Sequence, residues 1–376
     1  MKFLTESTLA LATAFILFTG VSAIAQKPTS TPPPGSDGEE IKIESRLVVI
    51  PVSVTTPTGD PVIGLTKQDF RVLEEGRNQL IEQVGTAENV PLEIALLIDV
   101  SGSVNPLFEF EKNAAAQFLQ SVMKPEDRAT IFLIGDQPQS GQTRGDAAQT
   151  ADKLRTVRLS GKFTAFYDTV LAAADFLKKN APQTSRRVVV ALTDGEDNWS
   201  AMTRSAELNA YRDLDVNKLT TASLNRMAGT SDAAHRKAQT VVLKSLQDAD
   251  SVFYAVNPAG ASFKLNKISL RAHTGMKTFA DDTGGTAFTP SFQPVDTKDA
   301  LQNARNIKRN ERTLEQIFRQ LANELRAQYL IQYLSDADFP QNRYVKLGVD
   351  LQTRGDRKVR ARQGYYVKNL PKPPSS

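Results

Sequence analysis

The chain has 376 residues, enough for two or three domains. Forty per cent are hydrophobic and 23% charged, a globular balance that excludes a wholly disordered chain and a coiled coil. There is no cysteine, which excludes disulfides, thiolate zinc sites, iron–sulfur clusters and a cysteine nucleophile. The two histidines, His235 and His273, form no HExxH pair, so a histidine-based metalloprotease is excluded as well. Net charge is +4, but from Leu301 onward 15 Lys or Arg face seven Asp or Glu, leaving the rest of the chain net acidic. That basic segment lacks interleaved aromatics. It reads as a solvated helix face and a charged hairpin, not as a nucleic-acid surface.

The first element is a leader over residues 1–25. Met1-Lys2 is followed by an apolar stretch, Leu9 to Val21, and by the small-x-small pattern Ala23-Ile24-Ala25. The stretch is too short to span ~30 Å of hydrocarbon, so cleavage and export are expected, with no membrane span remaining. Residues 26–40 are Pro-, Ser-, Thr- and Gly-rich, a composition that buries no core and reads as a linker.

Residues 41–90 alternate apolar and polar from Leu47 to Val54, turn at Thr58-Gly59-Asp60-Pro61, and resume at Phe70 to Glu74. This predicts short antiparallel strands, too few for a closed sandwich. Residues 329–369 supply the missing ones: Tyr329–Leu334, Tyr344–Val349, Val359–Arg362 and Tyr365–Val367, separated by turn residues. The expected architecture is a small β-sandwich built from both chain ends, with the middle of the chain inserted into it. A polar tail occupies 370–376.

Residues 91–328 have another rhythm. Leu92 to Ile98, Ala129 to Ile134, Arg187 to Leu192 and Val252 to Val256 read as strands buried on both faces. Helical spacing links Leu107, Phe110, Ala114, Phe118 and Val122, then Phe166, Val170, Ala173, Ala174 and Leu177, and finally Leu314, Ile317, Phe318, Leu321 and Leu325. The alternation predicts an α/β fold, a doubly wound and mostly parallel sheet. Two stretches break the pattern. Met202 to about Ala234 is polar and poorly periodic, and Pro258 to Lys277 reads as a partly ordered loop. His235 and His273 are expected on a helix surface and in a loop.

In such sheets ligands bind beyond the carboxyl ends of the strands. There the first core strand ends in Asp99-Val100-Ser101-Gly102-Ser103 and the third in Thr193-Asp194-Gly195-Glu196-Asp197, while Gly161 to Asp168 opens a helix between them. These oxygen-rich groups suit a hard cation: Mg²⁺, Mn²⁺ or Ca²⁺. Each residue alone is also an ordinary cap or turn residue.

DxSxS at the first strand's end, a Thr before an ALYD-like run and a later T-D-G resemble the von Willebrand factor type A domain. The block Gly64 to Phe70 and the ending Val359 to Tyr366 are similar, more narrowly, to the type-A-related proteins of acidobacteria. The resemblance implies a metal-ion-dependent adhesion site at Asp99, Ser101, Ser103, Thr164 and Asp194. It implies Mg²⁺ first among the cations, and a partner protein whose acidic side chain completes the ion's shell. Asp197 is a candidate for tuning the ion's field from outside the ligand set, although it and Glu196 also read as a solvated turn.

The function expected is an exported, non-enzymatic adhesion module of the periplasm or cell surface. The alternative is an envelope assembly factor in which the metal only stabilises the fold. A P-loop and a GxSxG elbow are both absent, and no nucleophile–base pair assembles. Arg144-Gly145-Asp146 and Arg354-Gly355-Asp356 read as turns.

Overall fold

A computed structural model describes residues 46–101, 108–159, 163–212, 220–257, 266–295 and 297–367. The expected leader, linker and polar tail lie outside the described residues, as does Ser103.

Strand β1 (Arg46–Thr55) turns Val48, Ile50 and Val52 inward, and its period of two places Leu47 and Val49 on the outside. A one-turn 3₁₀ segment, Lys67–Asp69, follows, capped by Thr66 and Asp69 reciprocally. It leads into β2 (Phe70–Glu74), β3 (Arg77–Gln79) and β4 (Ile81–Thr86). Next come β5 (Leu92–Asp99), α1 (Phe108–Val122), β6 (Arg128–Ile134) and β7 (Gln139–Gly145). Then follow α2 (Ala147–Thr156), α3 (Phe166–Asn180), β8 (Arg186–Leu192), α4 (Ala201–Arg212) and α5 (Thr221–Asp248). The chain continues through β9 (Ser251–Val256), α6 (Lys267–Thr283), β10 (Ala287–Phe288) and α7 (Ala300–Arg326). It closes with β11 (Tyr329–Ser335), β12 (Tyr344–Leu351), β13 (Lys358–Ala361) and β14 (Gly364–Tyr366).

The central sheet has the order β10-β9-β8-β5-β6-β7, parallel throughout except for the β6–β7 pair. Alternate side chains of β5 enter different cores. Leu92, Ile94, Leu96 and Ile98 pack with α1 and α7, while Ala95 and Leu97 pack with α3, α5 and α6. This is why the strand reads as one apolar run: both faces are covered. Phe118 of α1 stacks on Phe318 of α7, ring centroids 5.1 Å apart, and ties the two helices on one side. The fold is thus the α/β type expected, with a mixed, mostly parallel sheet and additional antiparallel sheets.

Two antiparallel sheets, β13-β1-β11-β4 and β14-β12-β2-β3, enclose a third core. In each an inner strand, β11 or β12, comes from the C-terminal part and pairs with the N-terminal part, so neither chain end makes a sheet alone. Glu74 is buried between them, and it accepts hydrogen bonds from Tyr333 Oη (2.7 Å), Tyr365 Oη (2.8 Å) and Ser335 Oγ (2.8 Å). Three hydroxyl donors replace the water that the carboxylate loses on burial.

The two aperiodic stretches are helical over most of their described residues, with 213–219 and 258–265 lying outside those residues. α4 and α5 occupy most of Met202 to Ala234, and the part of α5 before Ala234 buries none of its side chains. A helix without a buried stripe has no apolar period to read. α6 covers Lys267 to Thr283, and its inner stripe of Ala272, Gly275, Met276, Phe279 and Ala280 is built partly of small residues. A Cβ at Gly275 would lie 2.5 Å from Gln239 Nε2, so glycine lets α6 approach α5 closely. His235, expected on a surface, is buried, with Nδ1 3.3 Å from Tyr167 Oη. His273 lies on α6 and not in a loop.

Candidate metal centre

Three of the expected ligands converge where β5 and β8 end. Asp99 Oδ1 accepts from the Ser101 backbone N–H (3.0 Å) and from Ser101 Oγ (2.5 Å). Ser101 Oγ in turn accepts from Thr164 Oγ1 at 2.8 Å. Thr164 is buried, and its loop is fixed by the bond from Ala165 N to Gly135 O (2.7 Å), just past β6. Asp194 follows β8, and its Oδ1 accepts from Glu196 N at 3.0 Å. Ser103 lies outside the described residues.

Burial pushes Asp194 up to about 6, and the neighbouring charges of Asp99 and Glu196 add to the rise. Burial also raises Asp99, against hydrogen bonds from Ser101 and Thr193 that hold it down. Among the described residues neither carboxylate has a Lys or Arg partner, and no cluster of three or more His, Cys, Asp or Glu forms. Two partly desolvated carboxylates with two hydroxyls beside them are a hard-oxygen donor set short of positive charge. Mg²⁺, Mn²⁺ or Ca²⁺ suits that set, and a soft metal does not.

Sequence reasoning missed two supports. Thr193 Oγ1 donates to Asp99 Oδ2 (2.7 Å) and accepts from Gly195 N (3.0 Å), joining the two strand ends. Asn198 Oδ1 accepts from Thr164 N (2.8 Å), while Asn198 N and Trp199 N donate to Thr164 O at 3.0 and 3.1 Å. The only signal for Thr193 was its place before Asp194, and Asn198 offered none.

Asp197 departs from the solvated turn expected of it. It is 5% exposed and accepts from Tyr167 N (3.2 Å), Thr203 Oγ1 (2.8 Å) and Ser200 Oγ. These contacts make it an anchor for the starts of α3 and α4. Glu196 accepts from Ser269 Oγ of α6. Of the two Arg-Gly-Asp tripeptides expected in turns, the second marks one, whereas Arg144 and Gly145 of the first end strand β7. Asp146 caps α2 while Arg144 pairs with Glu93, and Gly355 has φ +57°.

The fold and the strand-end cluster define the class. Residues 94–196 match the family model of the von Willebrand factor type A domain, and this stretch of the chain is such a domain. It holds all five expected ligand positions and stops short of the C-terminal strands. No curated protein matches the chain. Among solved structures, it is similar to proximal thread matrix protein 1 of the mussel byssus, at 9% identity and TM-score 0.39. That alignment covers 64% of this chain and 50% of the mussel protein, so the chain spans half the length of that relative. A von Willebrand factor type A protein from Catenulispora acidiphila aligns at 11% identity and TM-score 0.39, over 84% of this chain and 72% of its own. An aerotolerance-related membrane protein from Bacteroides fragilis aligns at 14% identity and TM-score 0.34, over 59% of this chain and 99% of its own.

Proposed function

We propose that this protein is an exported, non-enzymatic binding module. It captures a carboxylate of a partner protein through a divalent cation, Mg²⁺ first, held by Asp99, Ser101, Ser103, Thr164 and Asp194. The observation that carries the reading is the chain Asp99–Ser101–Thr164 with Asp194 beside it, at the carboxyl ends of parallel strands and without a basic partner among the described residues. When bound, the cation supplies positive charge and a coordination position for an outside oxygen. The neutral Ser101 and Thr164 hydroxyls leave most of that charge uncancelled, while Asp99 and Asp194 orient the shell. Thr193 and Asn198 hold these side chains in place, so the cluster is organised before a ligand arrives. The sequence leader supports export, and no described helix is long and apolar enough to cross a membrane.

Thermal unfolding of the mature chain with Mg²⁺, Mn²⁺, Ca²⁺ or EDTA, beside Asp194→Ala, tests the metal. A cation at 100 times its Kd stabilises by about 2.7 kcal/mol, which at about 2.1 cal/mol/K of unfolding entropy per residue is a rise of roughly 4 °C for the whole chain unfolding as one unit. The rise is expected in the wild type and not in the variant. Equal curves for wild type and variant with all three cations would sink the reading. Partner capture lost in EDTA while the fold persists separates adhesion from a purely structural metal.

A further inference from the structure

The loop that carries Thr164 also carries an aromatic ledge. Phe163 stacks on Trp199 with centroids 3.8 Å apart and planes at 17°. The guanidinium of Arg204, on α4, lies over the same indole 4.8 Å from its centroid. A ring at 3.8 Å already fills one face of the indole, so the guanidinium takes the other, and Trp199 is closed on both sides. What stays open is the outer face of Phe163, which is 40% exposed. The ledge is bolted to the candidate metal ligand by the three hydrogen bonds between Thr164 and Asn198–Trp199. Phe163 and Thr164 are consecutive, their Cα atoms about 3.8 Å apart, so the ledge and the candidate metal ligand share one loop.

Resting on the carboxylate capture proposed above, we infer that Phe163, backed by Trp199 and Arg204, selects an apolar side chain adjacent to the partner's acidic residue. The occupant is therefore a peptide segment that is acidic and apolar at neighbouring positions. Charge and shape both point there. A purely acidic run satisfies the cation and Arg204 but leaves Phe163 wet. A neutral apolar segment covers Phe163 but gives the cation no anion.

Trp199 is the chain's single tryptophan, so its fluorescence reports on this ledge directly. The test titrates the mature chain in saturating Mg²⁺ or Mn²⁺ with acetylated tetrapeptide amides. The probes are Gly-Leu-Asp-Gly, Gly-Asp-Leu-Gly, Gly-Gly-Asp-Gly and Gly-Leu-Asn-Gly. At least one Leu-containing Asp peptide is expected to bind about tenfold tighter than the Gly-Asp peptide, or ~1.4 kcal/mol. The Asn peptide should not bind, and EDTA should abolish all binding. Phe163→Ala should erase the leucine preference and spare Gly-Asp binding, while Phe163→Leu keeps part of the preference. Cation-dependent binding indifferent to leucine, or a preference that survives Phe163→Ala, overturns the ledge and leaves carboxylate capture standing. If the cation stabilises the chain yet no Asp peptide binds, carboxylate capture falls and the ledge with it.

Discussion

At the scale of the residue, two positions have consequences that burial and backbone geometry make explicit. Gly195 sits at φ +75°, and a Cβ there would lie 2.7 Å from Sδ and Cε of the buried Met276. Gly195→Ala thus combines left-handed strain with overpacking, each costing of order 1–3 kcal/mol. Its melting temperature is expected to fall by several degrees, and the Mg²⁺ shift to shrink because Asp194 moves with its neighbour. An unaltered melt and Mg²⁺ response would contradict this account. His235 is the second position. Burial depresses it to about 4, Arg271 adds to the depression, and Asp232 opposes it. Its folded pKa lies below the unfolded one, so the stability it contributes is complete above pH 6.5 and lost as pH falls toward 4. The loss is up to about 3 kcal/mol. Urea midpoints at pH 7.5 and pH 4.5 should therefore separate less in His235→Gln than in the wild type. The same separation in both would rule His235 out as a source of acid sensitivity.

At the scale of the element, α7 does two jobs with its two halves. Its C-terminal half packs Leu314, Ile317, Phe318, Leu321 and Leu325, the stripe visible in the sequence. Its N-terminal half holds an extended segment by an asparagine ladder on one face. Asn310 bonds both backbone groups of Gln293 (2.8 and 2.9 Å), Asn306 donates to Pro294 O (2.7 Å), and Asn303 bonds both groups of Thr297 (2.9 and 2.8 Å). Asn310→Ala removes two hydrogen bonds from the backbone of the exposed Gln293, at about 0.5–1.5 kcal/mol each. Amide exchange at Gln293 and along the first turns of α7 should quicken in that variant, with the β5 amides as slow as before. Uniform acceleration would mean the ladder is not a local strap. The contrast with the stripe is physical: leucines at helical spacing announce a buried face, whereas asparagines at the same spacing look like a wet one.

At the scale of the whole molecule, the antiparallel sheets and the α/β part share bonds that neither satisfies alone. Arg186 of β8 donates to Ala87 O (3.2 Å), just past β4, Ser53 Oγ of β1 donates to Glu324 O of α7 (3.4 Å), and Arg360 of β13 donates to Gly285 O (3.3 Å). Gln363 N, between β13 and β14, donates to Asp282 O of α6 (3.1 Å). The two parts are expected to unfold in one transition. Trp199 fluorescence reports the α/β part. Near-ultraviolet dichroism adds the eight tyrosines, of which Tyr329, Tyr333, Tyr344, Tyr365 and Tyr366 lie in the sheets. The urea midpoints of the two signals should coincide, and two separated midpoints would refute this coupling.

Much of this protein is legible without coordinates. Runs such as Leu92 to Ile98 and Arg187 to Leu192 declare buried strands, and the rule that parallel sheets bind ligands at their carboxyl ends brings Asp99, Ser101, Thr164 and Asp194 into one neighbourhood. These are local signals, carried by spacings of two, three and four residues. The tertiary structure decided what local signals cannot. Thr193 reaches Asp99 across 94 positions, Asn198 reaches Thr164 across 34, and Glu74 meets Tyr333 and Tyr365 across more than 250. It also buried His235 and Asp197, and it made helices of stretches with no apolar period, because a helix supported at one end by a neighbour needs no stripe of its own. Spacing along the chain encodes which face a side chain occupies. Only strand order and helix packing determine what that face meets.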